Sequence, residues 1–287
     1  MNYLKNQNAI PSGLSIFLTT FVVLFSVCSQ ADEYRKLNLD LVAASKNGDF
    51  TLVKDLIGQG ASVKTRDRFG NSAFIYATST GNLELVQYLH GQGSEIKLVN
   101  TRSETALISA AKAGHVKIVQ YLLDKGANID HKTIKGFTPL MAAAFANHTD
   151  VVSLLLERNA NRHPIDHTGK SALVYAAANG NLDVIKGLIG AEQNIDQRYA
   201  NELTLLMWTA GYGHLDATQY LLSKGSNVNL QDNRGRTALM MAAEGGYSEV
   251  VNLLLSSNAD HSIKDKEGKT ANQLSLLAGK GGLSLKN

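Results

Sequence analysis

Gly136-Phe137-Thr138-Pro139-Leu140-Met141-Ala142-Ala143-Ala144 decides the fold, because its pattern returns every 33 residues. Stepping by that period from Gly136 gives Gly70, Ser103, Gly169, Glu202, Gly235 and Gly268. Two residues on stands a column of hydroxyls: Ser72, Thr105, Thr138, Ser171, Thr204, Thr237 and Thr270. Four on stands an apolar column, Phe74, Leu107, Leu140, Leu173, Leu206 and Leu239, broken at Asn272. A second glycine column runs Gly48, Gly81, Gly114, Asn147, Gly180, Gly213, Gly246 and Gly279 with no insertion. A fixed period of this size signals a solenoid, in which each unit buries its apolar face only against its neighbours.

One unit shows how the residues dictate the elements. In 103–132, the Thr105 hydroxyl is placed to accept a backbone N–H at a helix start. Ala106, Leu107, Ala110 and Ala111 then form an apolar stripe at helical spacing, with small residues that let neighbours approach closely. Gly114 stops that helix where a left-handed residue is needed. Val116 to Leu123 reads as a second helix with Ile118, Val119, Leu122 and Leu123 inward, ending at Gly126. Each unit is therefore two antiparallel helices plus a hairpin-like loop.

The substitutions test this reading. Asn147, Asn159 and Asn258 replace glycines in the two helix-end columns, and asparagine tolerates the left-handed region better than other non-glycine residues. Glu192 and Glu202 do not fit, which makes 190–203 the connection expected to be least regular.

Thr138-Pro139-Leu140, Gly235-Arg236-Thr237-Ala238-Leu239 and Tyr121-Leu122-Leu123-Asp124-Lys125-Gly126-Ala127-Asn128-Ile129 resemble the ankyrin-repeat signature, over roughly residues 34 to 280. The resemblance implies an all-α solenoid of stacked helix-turn-helix units joined by β-hairpin-like loops. The expected organisation is a signal peptide at 1–31 and an atypical N-terminal capping repeat at 32–66. Six full repeats over 67–265, a truncated C-terminal capping repeat at 266–279 and a disordered tail at 280–287 follow. Polar Asn272, Gln273 and Ser275 in the last unit suit a terminal repeat that must show water one side.

Residues 1–31 stand outside the array. Lys5 is followed by the apolar run Leu14 to Val27 and then by Ser29-Gln30-Ala31, small residues at the two positions a signal peptidase reads. The expectation is cleavage after Ala31 and a periplasmic or secreted protein, with no stable membrane insertion afterwards. An uncleaved anchor is the alternative, although the run is short of the ~20 residues a span needs. A lipoprotein reading through Cys28 is weaker, because Val27 sits where a very small residue is wanted. Cys28 is the one cysteine, so cleavage leaves a chain with neither disulfide nor cysteine metal site.

The 287 residues are 44% apolar and 18% charged, with 3 prolines and a net charge of +3, an ordinary soluble composition. Lysines and arginines are scattered, which argues against nucleic acid as a partner. No His-Glu-x-x-His helix, phosphate loop or nucleophile elbow appears, so no catalytic role and no cofactor are expected. His115, His148 and His214 share one column and read as structural. Asp130 and His131 on one loop, and His163, Asp166 and His167 on the next, are a donor set for a divalent metal if they converge. That is the alternative function, small-ligand or metal binding through the His131, His163 and His167 loops.

The family resemblance places variable contact positions beside the turn glycine and six, nine and ten residues beyond it. Here those columns, with one preceding loop residue, hold Phe69, Tyr76, Arg102, Phe137, Phe145, Tyr175, Tyr199, Trp208, Tyr212, Arg234 and Arg236. Glu104, Lys112, Lys135, His167 and Glu244 fall in them too. Aromatics and arginines are what binding hot spots are made of. The expected function is thus a non-catalytic, monomeric module that binds another protein on its concave face. The resemblance also admits an envelope or oxidative-stress enzyme such as a catalase as that partner, or a host-directed destination.

Overall fold

A computed structural model describes the backbone of residues 12–190 and 194–283, and side chains from residue 30 onward. Among the described residues there are fifteen α-helices and one 3-10 turn, and no strands beyond two isolated bridges. The helices pair in chain order. After α1 (Ser12–Asn47) and α2 (Phe50–Gly58) come α3 (Ala73–Ala77) with α4 (Leu83–Gly91), and α5 (Ala106–Ala113) with α6 (Val116–Asp124). Then follow α7 (Pro139–Phe145) with α8 (Thr149–Glu157), and α9 (Ala172–Ala178) with α10 (Leu182–Leu188). The array continues with α11 (Leu205–Gly211), α12 (Leu215–Ser223), α13 (Ala238–Gly245), α14 (Ser248–Ser256) and the unpaired α15 (Ala271–Leu277).

Every hydroxyl of the Ser/Thr column from Ser72 to Thr270 accepts the backbone N–H three residues on, opening a first helix. The alanines that follow let consecutive first helices pack side by side, as α5 does on α7 and α11 on α13. Second helices form a parallel row, as α6 on α8 and α8 on α10. The buried apolar side chains make one continuous core from Leu41 to Leu274, with the Phe74-to-Leu239 column inside it.

The period also sets backbone conformation where glycine is missing. Asn147, Asn159 and Asn258 adopt φ of 61°, 63° and 64°. Ser103 and Glu202, in the turn column, do the same at 56° and 64°. The stack imposes the left-handed turn on Glu202 despite its side chain. The irregular region falls at the same connection: α10 ends early at Leu188, Ile189 is extended, and Asn201 and Glu202 are consecutive residues of positive φ in the 3-10 turn Ala200–Glu202. Glu192 lies outside the described residues.

Two expectations need correction or restriction. Residues 280–283, expected within a disordered tail, fold back on α15. Ser275 Oγ donates to the Gly281 carbonyl at 2.6 Å, and Asn272 Oδ1 accepts the Leu283 N–H at 2.8 Å. The polar residues of the last helix thus tie down the segment that follows it. The signal-peptide reading falls on side chains outside the described residues. The backbone is helical from Ser12 onward, and α1 runs through the expected processing point after Ala31 without a break. Among the described residues no helix is long and apolar enough to cross a membrane.

Candidate protein-interaction face

The side chains beside each turn glycine are aimed by a column that the periodic reading did not use: Asp67, Asn100, Thr133, Asp166, Tyr199, Asp232 and Asp265. Each short side chain in it accepts two backbone N–H groups, from the residues two and four further on. Asp166 Oδ1 takes those of Thr168 and Lys170 at 2.8 and 3.0 Å, and Asp232 Oδ1 those of Arg234 and Arg236, both at 2.8 Å. Local acceptors of this kind fix a turn that sheet or helix bonds do not. Successive turns are also joined at their tips. The Thr101 N–H donates to the Phe69 carbonyl, Ile134 to Arg102, His167 to Lys135, Asn233 to Asn201 and Lys266 to Arg234, at 2.9 to 3.1 Å. Tyr199 has no short acceptor to offer, and its turn is the irregular one.

On this scaffold the aromatic residues join into one strip. Tyr175 meets Phe137 edge-on at 5.2 Å between ring centroids and Phe145 edge-on at 5.7 Å. Lys170 Nζ lies 5.6 Å from the Tyr175 ring and 5.2 Å from Trp208, bridging two units by cation–π contacts. Trp208 stacks on Tyr212 at 6.0 Å with the rings 6° from parallel. Phe145 and Tyr212 remain 47% and 53% exposed, so the strip presents apolar surface to solvent at both ends.

Burial first, and then the hydrogen bond the hydroxyl donates to Asp166 Oδ2, raise Tyr175 from 10.0 to about 12. Burial pushes Asp166 up, but donation from Tyr175, the Lys170 N–H and Thr168 outweighs it and holds the carboxyl below its ordinary value. Tyr76 and Asp67 repeat the arrangement at 2.6 Å. The tyrosine hydroxyls are therefore held internally, leaving ring edges and faces to the surface.

The sequence-derived contact residues separate into groups. Phe137, Phe145, Tyr175, Trp208 and Tyr212 come together as the strip. Arg102 is exposed beside it. Phe69 and Tyr76 lie further toward the N-terminal end, where Phe69 is exposed under the Arg68 guanidinium. Three placements correct the expectation. Tyr199 packs against the core, and its burial raises its hydroxyl pKa; it stands in the column whose members Asn100, Asp166 and Asp232 are buried too. Trp208 is half-buried with Nε1 sealed from solvent, so one face of the indole is presented rather than the whole side chain. Arg236 is largely covered and pairs with Glu244 at 2.5 Å, which neutralises it within the chain. Arg234 is exposed and lies 3.4 Å from Asp232.

The donor set considered for a metal does not converge. Asp166 is committed to Tyr175 and its own turn, Asp130 Oδ1 accepts the Asn161 N–H at 2.9 Å, and His131 Nε2 is 2.8 Å from the Ser103 carbonyl. Among the described residues no group of three or more His, Cys, Asp or Glu side chains could hold one ion. Lys170 and Ile134 were not among the sequence candidates. Their signal was present, since Lys170 occupies the column of Phe137 and Arg236, and Ile134 the column of Thr101 and His167.

A family model described as ankyrin repeats in three copies matches residues 41–133, 128–199 and 188–265. The chain belongs to the ankyrin-repeat family. It is similar to the crystal structure of the human ASB11 ankyrin repeat domain, at 27% identity and a TM-score of 0.68, over 75% of this chain and 100% of that one. No curated protein matches significantly. Ankyrin repeats are generally protein–protein interaction modules and typically non-catalytic scaffolds. In this ankyrin array the turn tips and first helices carry an aromatic strip that Lys170 joins across two units.

Proposed function

We propose that this protein is an exported, non-catalytic interaction module that holds a partner protein against the face formed by its turn tips and first helices. The observation that carries the reading is the aromatic run from Phe137 to Tyr212 across three successive units. Packing does not demand rings there, since Ser109 and Ala142 occupy the column of Tyr175 and Trp208. Partly exposed rings whose orientation is already fixed lose little freedom on binding, which is why such residues dominate interface energetics. Export rests on Lys5, the run from Leu14 to Val27 and Ser29-Gln30-Ala31, and an envelope or oxidative-stress enzyme is a partner compatible with that destination.

Phe145 and Tyr212 are the residues to test, because they are exposed and their removal leaves the Tyr175–Asp166 bond and the buried edge of Trp208 in place. Partners are identified by proximity labelling in the native compartment and confirmed by pull-down. Phe145→Ala with Tyr212→Ala is expected to weaken capture by about thirtyfold or more, the effect of losing roughly 2 kcal/mol at a hot spot. Retention of every partner by a variant with unchanged far-UV circular dichroism would count decisively against this face.

A further inference from the structure

The face is not uniform in charge, and the difference points to what it binds. Between the turns of the second, third and fourth full units lies a groove of about 470 Å3. Its floor is apolar: Phe137 and Phe145, with Ile134 at the tip, 57% exposed. Its rim carries Arg102, Lys112 and Lys135, all exposed. Among the described residues none of these three cations forms an ion pair. Two carboxylates line the same groove. Asp166 is buried and its oxygens are occupied by Tyr175, Thr168 and backbone N–H groups, so it offers nothing to a ligand. Glu104 accepts from Asn100 Nδ2 at 3.3 Å.

The two ends of the face can be compared column by column. In the sixth full unit of the array the equivalent positions are Arg236 and Glu244, which neutralise each other at 2.5 Å. In the groove's own unit they are Phe137 and Phe145, and in the unit before it Glu104 and Lys112, which do not pair within 4 Å. The same geometry therefore leaves cationic charge open beside an apolar floor at one end and closes it at the other. Unpaired cations around a partly dehydrated groove favour an incoming carboxylate, and complementary charge selects partners and speeds encounter more than it adds raw affinity.

We infer that the segment of the partner protein seated in this groove is acidic and carries a bulky apolar side chain. Phe137, Phe145 and Ile134 receive that side chain, and Arg102, Lys112 and Lys135 receive Asp or Glu on either side of it. The inference rests on the proposed binding face and specifies the chemistry it accepts.

The test is a selection of random dodecapeptides displayed on phage against the purified full chain, with Lys112→Glu/Lys135→Glu and Phe145→Ala variants in parallel. Both lysines are exposed and unpaired, so the charge reversal is expected to leave circular dichroism and the urea midpoint unchanged. The wild type should enrich peptides with Asp or Glu flanking Phe, Leu, Ile, Met or Trp. The charge-reversed protein should lose that enrichment and favour Lys and Arg. A synthetic peptide of the enriched sequence should bind at least tenfold more weakly at 0.5 M than at 0.05 M salt, since surface charge is screened over a few ångströms at high ionic strength, and should bind Phe145→Ala at least tenfold more weakly than wild type. Neutral or basic consensus sequences, the same consensus from wild type and charge-reversed protein, no enrichment, or equal binding to Phe145→Ala would each overturn the inference. If Phe145→Ala/Tyr212→Ala still abolishes partner capture while the selection shows no acidic preference, the face stands and the acidic specificity falls.

Discussion

The imidazole of His148 lies over Gly114, so closely that a Cβ built on that glycine would be 2.5 Å from Nδ1. The same ring places Nε2 3.0 Å from the Lys112 carbonyl. A carbonyl only accepts, so Nε2 carries the proton. His115 reaches the Ser79 carbonyl at 3.0 Å, and His214 the Ala178 carbonyl at 2.9 Å. In these three units the ring thus covers the end of the preceding first helix and satisfies a carbonyl that has no partner within its own helix. Where the glycine is replaced by Asn147, the residue at the histidine position is the shorter Asn181, whose Nδ2 donates to the Ala144 carbonyl at 2.9 Å. At the end of the array Lys280 takes the position, its aliphatic stem against Gly246.

Gly114→Ala should therefore cost more than Gly126→Ala. Both residues have φ near +80°, but nothing lies within 4 Å of a Cβ at Gly126. The left-handed conformation alone costs about 1–2 kcal/mol for an L-residue. Displacing His148 adds overpacking of roughly 1–3 kcal/mol at Gly114. Urea denaturation of the two variants checks the difference.

Leu140→Ala should lose about 2–5 kcal/mol, the usual range for a buried leucine. Leu140 is 2% exposed in the middle of the stack, whereas Leu276 is 55% exposed on α15. Leu276→Ala should stay within about 0.5 kcal/mol of wild type, as surface changes do. Equal losses in chemical denaturation would contradict the position of α15 at the edge of the core.

The turn column predicts a graded response at Asp232. Asp232→Ala removes the acceptor for two backbone N–H groups and should destabilise by about 1–3 kcal/mol. Asp232→Asn keeps an acceptor oxygen, as Asn100 does natively for Arg102 and Glu104 at 2.9 Å each, and should cost clearly less. Thermal or urea midpoints of the pair decide it.

Tyr175 gives the array a pH dependence at the alkaline end. Its folded pKa is raised to about 12 from 10.0, by burial and by the bond to Asp166, so the folded state holds this proton more tightly than the unfolded chain. The stabilisation is complete below pH 10 and declines as pH rises toward 12. Asp166 acts in the opposite sense. Its folded pKa is lowered from 3.8, so its contribution is present above that value and is lost as pH falls below it. Tyr175→Phe should show a shallower loss of stability than wild type between pH 10 and 12, measured by denaturant titration at each pH.

The period made most of the fold legible because it acts on backbone and core together. The hydroxyl column marks helix starts, the alanine stripe marks the first-helix row, and Asn147, Asn159 and Asn258 stand at left-handed positions. Each follows from spacing and side-chain chemistry alone. The site was legible only in part. Columns told which residues stand beside the turns, and Phe137, Phe145, Tyr175, Trp208 and Tyr212 do meet there. They did not tell that Arg236 would be spent on Glu244, or that Tyr199 would pack against the core.

Sequence alone determined the repeat, its helix starts and the left-handed positions held by glycine or asparagine, because those depend on contacts between residues a fixed distance apart in the chain. Only the tertiary structure decided which cations remain unpaired, which rings are covered, and how Ser275 and Asn272 bind the segment after α15. Those outcomes depend on side chains from different units meeting or missing by a few ångströms, a distance that the period does not specify.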